Sequence, residues 1–529
     1  MRKFRFISLF AISIACIALS QNAVAFSTSH YATTSKLATG KWVKIKVTNT
    51  GVHEITAEEL SAMGFSNLNN VRVYGSGGQL ISEVLNGDAP DDLVKVPVWR
   101  NANKICFYAK GPLKFKLDDS RTSRPRYSRT INPYSTAGYY FLCEGDGDDT
   151  MKKVAATTSG ENARATSLDY FYHEKEEISA GYTGKALLGE RIYDNTTFDF
   201  KMPGRAEGTP YTVNPCVAAN ITREGAGYSN SGNLQAFVLT GADIDTVKFL
   251  ASASSIRYSE SSLIFYNSAN PSAAITPKQF SEQGKLKFNF SIPSELALKW
   301  ARLDWFTITF SHYNNLQNAE NGQVRMGFNK LTSADRIELS EPNNAIVVWN
   351  IDNEASPVEY QYTDINKEDG STVKAFTPGY DKEWSQFVAF DPNATLYKIS
   401  GFEAVENQNI HGMPTPNMVI VTSKELKPQA ERIAQMHRGN DGFIVHVLDQ
   451  DEVFNEFSSG TPDAMGIRLM NKMFYDRDSK RFKYLLMFGC GSFDNRGITT
   501  NKKNRVITYQ SDNSNDENNS YVTDDFFGV

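Results

Sequence analysis

The chain has 529 residues, of which 40% are hydrophobic, 22% charged and 12% aromatic. This composition is ordinary for a globular protein, and the length is enough for about three domains. The formal net charge is -5, so no excess of positive charge favours nucleic acid or an anionic membrane, and we expect no nucleic-acid partner.

Residues 1–25 have the three parts of a secretory signal peptide. A basic segment at residues 2–5 precedes an apolar segment at residues 6–19, and Ala23-Val24-Ala25 is a small-residue cleavage site. The mature chain is therefore predicted to begin near Phe26 and to be exported through the inner membrane. No later segment approaches the roughly 20 apolar residues that a spanning helix needs.

The cysteines do not indicate a zinc or redox site, because no pair has C-x-x-C spacing. The five are Cys16, Cys106, Cys143, Cys216 and Cys490. Cys16 lies in the signal segment, and the three residues before it match a lipoprotein signal poorly. One disulfide among Cys106, Cys143 and Cys216 is compatible with an exported protein.

From about residue 26 to residue 409 the pattern is mostly β. The segment KWVKIKV alternates apolar and basic residues, and similar short runs recur between Gly, Asn, Asp and Pro. Such strands are typical of sandwiches and barrels. We predict two β-rich, sandwich-like domains, residues 26–205 and 206–410, with the boundary in the loop-like sequence near residues 203–232.

The glycine-rich stretch YGSGGQL at residues 74–80 invites comparison with a phosphate-binding loop. Its glycines are spaced G-x-G-G, and no helical pattern follows them. The dinucleotide fingerprint therefore fails, and we expect a β-turn.

After His411 the periodicity changes to that of an α/β domain. Continuous apolar strands are predicted at residues 418–423, 443–448 and 484–488. The first intervening helix is predicted to be capped by Gly439, and the second to begin at Thr461-Pro462-Asp463. This β-α-β-α-β order implies a parallel sheet with helices on its faces.

In such sheets ligands bind beyond the carboxyl ends of the strands, where Cys490 and Asp494 are predicted to lie. A cysteine nucleophile needs a neighbouring base. His411 precedes the first strand, His437 ends a helix, and His446 lies within a strand. No histidine is predicted beside Cys490, and we therefore expect a buried or bystander thiol rather than a nucleophile.

The segment DNSNDENNS resembles a calcium loop with Asp512, Ser514 and Asp516 as ligands. Glu517 stands where an EF-hand needs glycine, and Thr523 stands where it needs glutamate. An EF-hand is thereby excluded. A looser structural calcium site is left open beside a solvated polar loop, and no other cofactor is indicated.

Several segments resemble the gingipain family of cysteine peptidases. QNIHGMPTPNMVIVTSKELKPQAERIAQMHR, YLLMFGCGSFDNR and YVTDDFFG are similar to the opening of its peptidase domain, and WVKIKVTNTGVHEITAEELSAMGF is similar to a segment before that domain. The resemblance implies that residues 411–529 form the first half of a caspase-like α/β domain. It also implies a Cys-His dyad that attacks a peptide carbonyl.

The dyad itself does not carry over to this chain. In the family the histidine lies in a Gly-His-Gly turn and the cysteine ends a later strand, and the chain has no Gly-His-Gly. Cys490 stands where the family usually carries an acidic residue. We therefore expect no catalytic residue in this chain, a dyad downstream of Val529, and no peptidase activity of the chain alone.

The resemblance is strongest to family members that act as sortases in type IX secretion. These remove the C-terminal targeting domain of exported cargo and help attach the cargo to surface lipopolysaccharide. The implied partners are cargo proteins and other secretion components, and the implied location is the outer-membrane surface or the periplasm. The alternative is a non-enzymatic, cargo-binding or partner-binding pseudoenzyme whose gene ends at Val529.

Overall fold

The chain is described from a computed structural model. The structure describes residues 26–118, 125–179, 185–223, 233–240, 243–248, 254–255, 263–267, 280–291, 296–317, 319–340, 345–499, 504–511 and 522–528. The predicted signal peptide and most of the predicted calcium loop lie outside these ranges. None of the helices within them has the length and apolar character needed to cross a bilayer.

Helices are few, and most lie in the last quarter of the chain. The α-helices in the described ranges are α1 (Ala57–Ala62), α2 (Lys427–Asn440), α3 (Gln450–Phe457) and α4 (Ala464–Arg477). The 3-10 turns there are Thr28–His30, Lys36–Ala38, Leu68–Asn70, Lys424–Leu426 and Asp525–Phe527.

Strands account for most of the rest. Those of the first third are β1 (Trp42–Val47), β2 (Gly51–Thr56), β3 (Val71–Tyr74), β4 (Lys95–Val96), β5 (Trp99–Arg100), β6 (Lys104–Ala109), β7 (Leu113–Asp118), β8 (Arg126–Ile131), β9 (Gly138–Glu144), β10 (Lys152–Val154), β11 (Asn162–Arg164) and β12 (Thr166–Glu174). Those of the middle are β13 (Arg191–Ile192), β14 (Thr197–Lys201), β15 (Tyr211–Arg223), β16 (Asn233–Thr240), β17 (Asp243–Lys248), β18 (Ser254–Ser255), β19 (Leu263–Asn267), β20 (Gln283–Ser291), β21 (Leu296–Tyr313), β22 (Gln323–Leu331), β23 (Asp335–Leu339) and β24 (Val347–Asn350). The last are β25 (Val358–Tyr360), β26 (Thr363–Asn366), β27 (Thr372–Phe376), β28 (Lys382–Phe390), β29 (Tyr397–Lys398), β30 (Gly401–Val405), β31 (Met418–Thr422), β32 (Val445–Asp449), β33 (Tyr484–Phe488), β34 (Tyr509–Gln510) and β35 (Val522–Thr523).

The amino-terminal strands form a sandwich. A sheet of order β30-β1-β9-β3-β4 lies against a sheet of order β29-β2-β6-β5. Their inner faces share one hydrophobic cluster, to which Val43 and Ile45 contribute from one sheet and Ile105 and Phe107 from the other. The alternation predicted for β1 therefore buries its apolar face, as expected for a sandwich strand.

A larger sheet forms the middle of the molecule. Its order is β10-β25-β24-β28-β22-β12-β21-β15-β19-β18, with β13 paired beside β21. The sheet β11-β23-β27-β26 packs on one part of it around Phe376 and Phe387. The sheet β14-β20-β16-β17 packs on another part around Phe288 and Phe306.

Strand pairing runs across the predicted domain boundary at residue 205. The large sheet joins β12, before the boundary, to β21 beyond it. The amino-terminal sandwich likewise contains β30, which pairs with β1. The domain division stays a prediction, but the two predicted β domains share sheets.

The cysteines of the β-rich region do not form the disulfide that was considered. Cys106, Cys143 and Cys216 are buried and free. Cys106 packs in one hydrophobic cluster and Cys143 in another, while Cys216 lies on β15 of the large sheet. The three thiols therefore face different surroundings, and the bridge that the sequence left open is not formed among them.

The predicted parallel sheet is present after residue 411. Its order is β32-β31-β33, and both neighbours of β31 run parallel to it. Ile420 faces α2, where Ala430 and Ala434 cover it. Val419 faces α3 and α4 on the other side. Because successive side chains of a strand point to opposite faces, the continuous apolar strand β31 packs against helices on both faces of the sheet.

The helix boundaries differ from those predicted. Helix α2 passes Gly439 and ends at Asn440, and Gly442 takes the left-handed conformation with φ +67°. The N-cap of α4 is Asp463 rather than Thr461, because the Asp463 carboxylate accepts the N–H of Met465 at 2.9 Å. Helix α3 was not predicted, although Asp449 and Glu452 form a complete capping box at its start.

Candidate functional site at the carboxyl edge of the parallel sheet

The carboxyl ends of the three parallel strands lie together, as predicted. Thr422 ends β31 and is in register with Asp449 of β32 and Phe488 of β33. The Thr422 hydroxyl donates to the carbonyl oxygen of Phe488 at 2.7 Å. This bond fixes the strand end from which the chain continues to Cys490.

Cys490 is exposed rather than buried, and it lies on a closely packed turn. Its carbonyl oxygen accepts the N–H of Arg505 at 2.7 Å. A Cβ atom on Gly491 would lie 2.8 Å from Cβ of Thr508 and 3.0 Å from the carbonyl oxygen of Val506. Only glycine allows that approach, so the segment at residues 505–508 holds the turn that presents the thiol.

Asp494 organises its own loop. Its carboxylate is buried and accepts the N–H of Ile498 at 3.0 Å, together with the N–H and hydroxyl of Thr499, both at 2.7 Å. Asn504 donates to the carbonyl oxygen of Asp494 at 2.7 Å. Asp494 therefore lies at the predicted edge, but its hydrogen bonds shape the loop after Cys490.

The same loop is fastened to the β-rich region by one ion pair. The guanidinium of Arg496 donates to both carboxylate oxygens of Glu176, each at 2.5 Å. The side chains are 3% and 14% exposed, so the pair is nearly excluded from water. This pair has no signal in the sequence, because its members are 320 residues apart.

The histidines of this region have partners other than the thiol. His437 pairs with Asp441 at 2.6 Å near the end of α2. His446 is half-buried on β32. Its Nε2 lies 2.8 Å from the carbonyl oxygen of Pro414, which gives the ring a hydrogen-bond partner. His411 lies in a separate cluster. Within the described residues no histidine shares a hydrogen bond with the Cys490 thiol.

His411 is the centre of a buried charged cluster. Its Nδ1 lies 2.6 Å from Oε2 of Glu456, and its Nε2 lies 3.1 Å from the carbonyl oxygen and 3.3 Å from Oδ1 of Asp91. The ring stacks on Phe457 at 4.5 Å. Burial alone would lower the pKa of His411, but the hydrogen bonds and charges of Asp91 and Glu456 raise it to about 9.

The glycine-rich stretch at residues 74–80 is a contact surface for the α/β segment. The N–H of Ser76 donates to the Ser459 hydroxyl at 2.8 Å, and the Thr461 hydroxyl donates to the carbonyl oxygen of Gly77 at 3.0 Å. No helix follows the glycines. The sequence predicted a β-turn here, and it did not indicate that these glycines meet residues nearly 400 positions later.

A separate cleft of about 310 Å³ opens in the β-rich region. Phe115, Tyr170 and Tyr172 line it together with Arg325 and Asp169. The Arg325 guanidinium donates to Asp169 at 2.8 Å and lies 4.1 Å from the Tyr170 ring centroid. Over the same described ranges, no group of three or more His, Cys, Asp or Glu side chains is arranged to hold a metal ion.

A three-stranded parallel sheet with helices on both faces places this region in the α/β class. Residues 412–529 match the model of peptidase family C25, a family of cysteine peptidases. The structure as a whole is similar to the crystal structure of dimeric latent PorU from Porphyromonas gingivalis, with a TM-score of 0.75 and 27% sequence identity. The similarity covers 94% of this chain but 46% of the PorU chain, so the chain spans less than half of PorU.

Other similarities carry no structural argument. The infectious bursal disease virus VP2 subviral particle has a TM-score of 0.15 at 8% identity, with 76% of this chain and 74% of that chain covered. A Paenibacillus cycloisomaltooligosaccharide glucanotransferase has a TM-score of 0.12 at 12% identity, with 44% and 45% covered. No curated protein matches the chain significantly. The resemblance to gingipain-family peptidases is confirmed, and the chain is PorU-like in its fold.

Proposed function

We propose that this protein acts as a type IX secretion sortase of the gingipain family. In this proposal the sortase removes the C-terminal targeting domain of exported cargo and helps attach the cargo to surface lipopolysaccharide. The 529-residue chain contributes to that reaction without being sufficient for it. It works with other secretion components at the outer-membrane surface, after export through the inner membrane by its signal peptide. The observation that supports the proposal is the PorU-like fold over 94% of the chain.

The arrangement of the β-rich region supports a role in holding the peptidase domain. The buried His411 cluster, the Arg496–Glu176 pair and the contacts of the glycine-rich stretch all join the two parts. A peptidase needs its reacting groups held to within a fraction of an ångström. We infer that the β-rich region orients the sheet edge from which catalytic groups project.

We further propose that the 529-residue chain has no peptidase activity by itself. Cys490 is exposed, and no histidine in the described ranges is hydrogen-bonded to it. Without a neighbouring base, most of a thiol stays protonated at neutral pH and reacts slowly. Cys490 is therefore assigned no part in peptide hydrolysis.

Deletion of the gene tests the function. Cells that lack it are expected to accumulate cargo that keeps its C-terminal targeting domain, which mass spectrometry of surface and periplasmic cargo detects. Complementation by the native gene carrying Cys490→Ala is expected to restore processing fully. Normal cargo processing in the deletion strain would refute the sortase proposal, and loss of processing in the Cys490→Ala strain would refute the role assigned to this thiol.

The second candidate function is binding without catalysis, and the aromatic cleft near Arg325 favours it. A pocket that combines Tyr170, Tyr172 and Phe115 with an ion pair offers stacking surface and polar contacts to a cargo or partner. Under this function, Arg325→Ala abolishes co-purification of cargo while cargo processing is unchanged by gene deletion. Under the sortase function, gene deletion itself blocks processing.

A further inference from the structure

Phe26 is held against helix α4 by a buried carboxylate. Its backbone nitrogen lies 3.2 Å from Oδ2 of Asp476, a residue 450 positions later in the chain. The Asp476 side chain is 1% exposed. The Phe26 ring lies 4.4 Å from Nζ of Lys472 and packs against the cluster beneath α4. The first described residue therefore docks on the last turn of a peptidase-domain helix.

The two oxygens of this carboxylate are unequally satisfied. Oδ2 accepts the N–H of Phe26 and the hydroxyl of Tyr31 at 2.6 Å, and it pairs with the ammonium of Lys472. Oδ1 is buried and has no hydrogen-bond partner in the described part of the chain. Because a buried acceptor without a donor is costly, this oxygen needs a further N–H.

A peptide nitrogen cannot supply that further donor. The amide of Phe26 has one hydrogen, and Oδ2 accepts it. An α-ammonium group at the same position has three N–H bonds and a positive charge. It can therefore donate to both oxygens of Asp476 from the place that the Phe26 nitrogen already occupies.

The predicted cleavage site falls at this nitrogen, directly after Ala23-Val24-Ala25. A signal peptidase adds water across the peptide bond between Ala25 and Phe26. Ala25 leaves with the carboxylate, and Phe26 keeps the nitrogen as a primary amine. With an ordinary pKa of about 7.7–8.0, that amine takes up a proton near neutral pH.

We propose that Asp476 is the binding site for the α-ammonium group of Phe26 that is created when the signal peptide is removed. Before cleavage the site holds only an amide. After cleavage it holds a buried ion pair that ties the start of the mature chain to the peptidase domain. Removal of the signal peptide thereby completes the contact between the two regions.

The surrounding charges accommodate the new cation. Lys472 already pairs with Asp476, while Arg477 is occupied by the carbonyl oxygens of Ala32 and His411. Asp91 adds a negative charge near Tyr31, which donates to the Asp476 carboxylate. Burial, together with Asp476, raises the pKa of Tyr31, so its hydroxyl remains a neutral donor. The centroid of the His30 ring lies 4.9 Å from that of the Phe26 ring.

The test compares mature chains, residues 26–529, that differ only at the first nitrogen. One has the free amine of Phe26, one is acetylated there, and one retains Ala25 so that the ammonium is displaced by one residue. Acetylation and retention of Ala25 are each expected to lower the melting temperature, by on the order of 2 °C. The free Phe26 amine is expected to react with an amine-reactive label about tenfold more slowly than the displaced amine.

Substitutions of nearby carboxylates supply the control. In Asp476→Asn, acetylation should no longer lower the melting temperature, and the Phe26 amine should react with the label as fast as the displaced amine. In Asp478→Asn, at the same end of the helix, both differences should remain. Equal melting temperatures and labelling rates for all three chains would overturn the proposal. So would a secreted protein whose sequenced amino terminus is not Phe26. If Asp476→Asn does not fold, the free-amine, acetylated and Ala25-retaining chains that carry Asp478→Asn still test whether the Phe26 ammonium group is bound.

Discussion

Nδ1 of His411 lies 2.6 Å from Oε2 of Glu456, and neither side chain is exposed to solvent. Glu456 also accepts the N–H of Ile410 at 2.8 Å, and Asp91 of the amino-terminal region contacts the other ring nitrogen. A protonated imidazole between two carboxylates therefore joins the β-rich region to helix α3. Such a junction makes the stability of the whole assembly depend on the charge of one histidine.

The first prediction is that stability falls between about pH 6.5 and pH 9. The pKa of His411 is about 9 in the folded chain, against about 6.5 for an unperturbed histidine. Because the folded value is the higher one, its contribution is fully present below pH 6.5 and is lost as the pH rises through 9. The shift corresponds to about 3 kcal/mol. The free energy of unfolding, measured with urea from pH 6 to pH 9.5, tests this prediction.

A matched pair of variants isolates this effect. His411→Gln should flatten the pH dependence of unfolding, because it removes the titrating group. His437→Gln should leave it in place, because the His437–Asp441 pair is partly exposed. An unchanged pH dependence in His411→Gln would show that other groups cause it.

The second prediction concerns the ion pair that fastens the loop after Cys490. Arg496→Ala leaves Glu176 nearly buried and without its bidentate partner. Loss of one member of a buried pair is expected to cost about 3 kcal/mol or more. Arg481→Ala is the control, because Arg481 and Asp478 are 46% and 35% exposed and their pair should contribute at most about 1 kcal/mol. Equal unfolding midpoints for the two variants would contradict the structure.

The third prediction separates backbone conformation from packing at two glycines. Gly442 has φ +67° and open space around it, so Gly442→Ala should cost about 1–2 kcal/mol through its backbone alone. Gly460 has φ +73°, and an added Cβ would lie 2.6 Å from Cε of Lys44 and 2.9 Å from Cζ of Phe141. Gly460→Ala should therefore cost about 1–3 kcal/mol more.

Denaturant unfolding of both glycine variants measures the difference. A lower cost for Gly460→Ala than for Gly442→Ala would mean that the peptidase domain does not approach the amino-terminal sandwich as closely as described. In a Lys44→Ala background the difference in destabilisation between the two glycine variants should be smaller, because the Lys44 side chain no longer lies against the added Cβ of residue 460.

The fourth prediction is that, of the four cysteines from residue 26 onward, one is accessible to a thiol reagent in the native state and three are not. Cys490 is exposed, whereas burial raises the pKa of Cys106 to about 12 and of Cys143 to about 11, and raises that of Cys216 as well. An Ellman titration should show one fast thiol and, after unfolding without reductant, four in total. Cys490→Ser should remove the fast one. Fewer than four thiols after unfolding would indicate a disulfide.

The parallel sheet was predictable because its signals are local. Continuous apolar runs give β31 and β33, with β33 matching its predicted bounds, and helical spacing gives α2 and α4. Helix α3 was missed because it has only eight residues, although its capping box was visible in the sequence at Asp449 and Glu452. The order of the β-rich sheets was not predictable, since it depends on pairings between strands far apart in the chain.

The same limit applies to the candidate site. The position of Cys490 beyond β33 followed from the strand order, and so did the lack of a predicted histidine beside it. The surroundings of His411 did not follow, because Asp91 lies 320 residues before it. A single sequence contains no signal for such a contact, and only the folded chain brings the two residues together.

The pairing of β1 with β30 has a consequence for how the protein reaches its folded state. Trp42 lies opposite Val405, so the amino-terminal sheet acquires its last strand only after more than 360 intervening residues have been made. Closing so large a loop is slow compared with forming local hairpins. During synthesis the unpaired edge of β1 therefore stays open to other extended chains, and in that interval a chaperone would be needed to prevent aggregation.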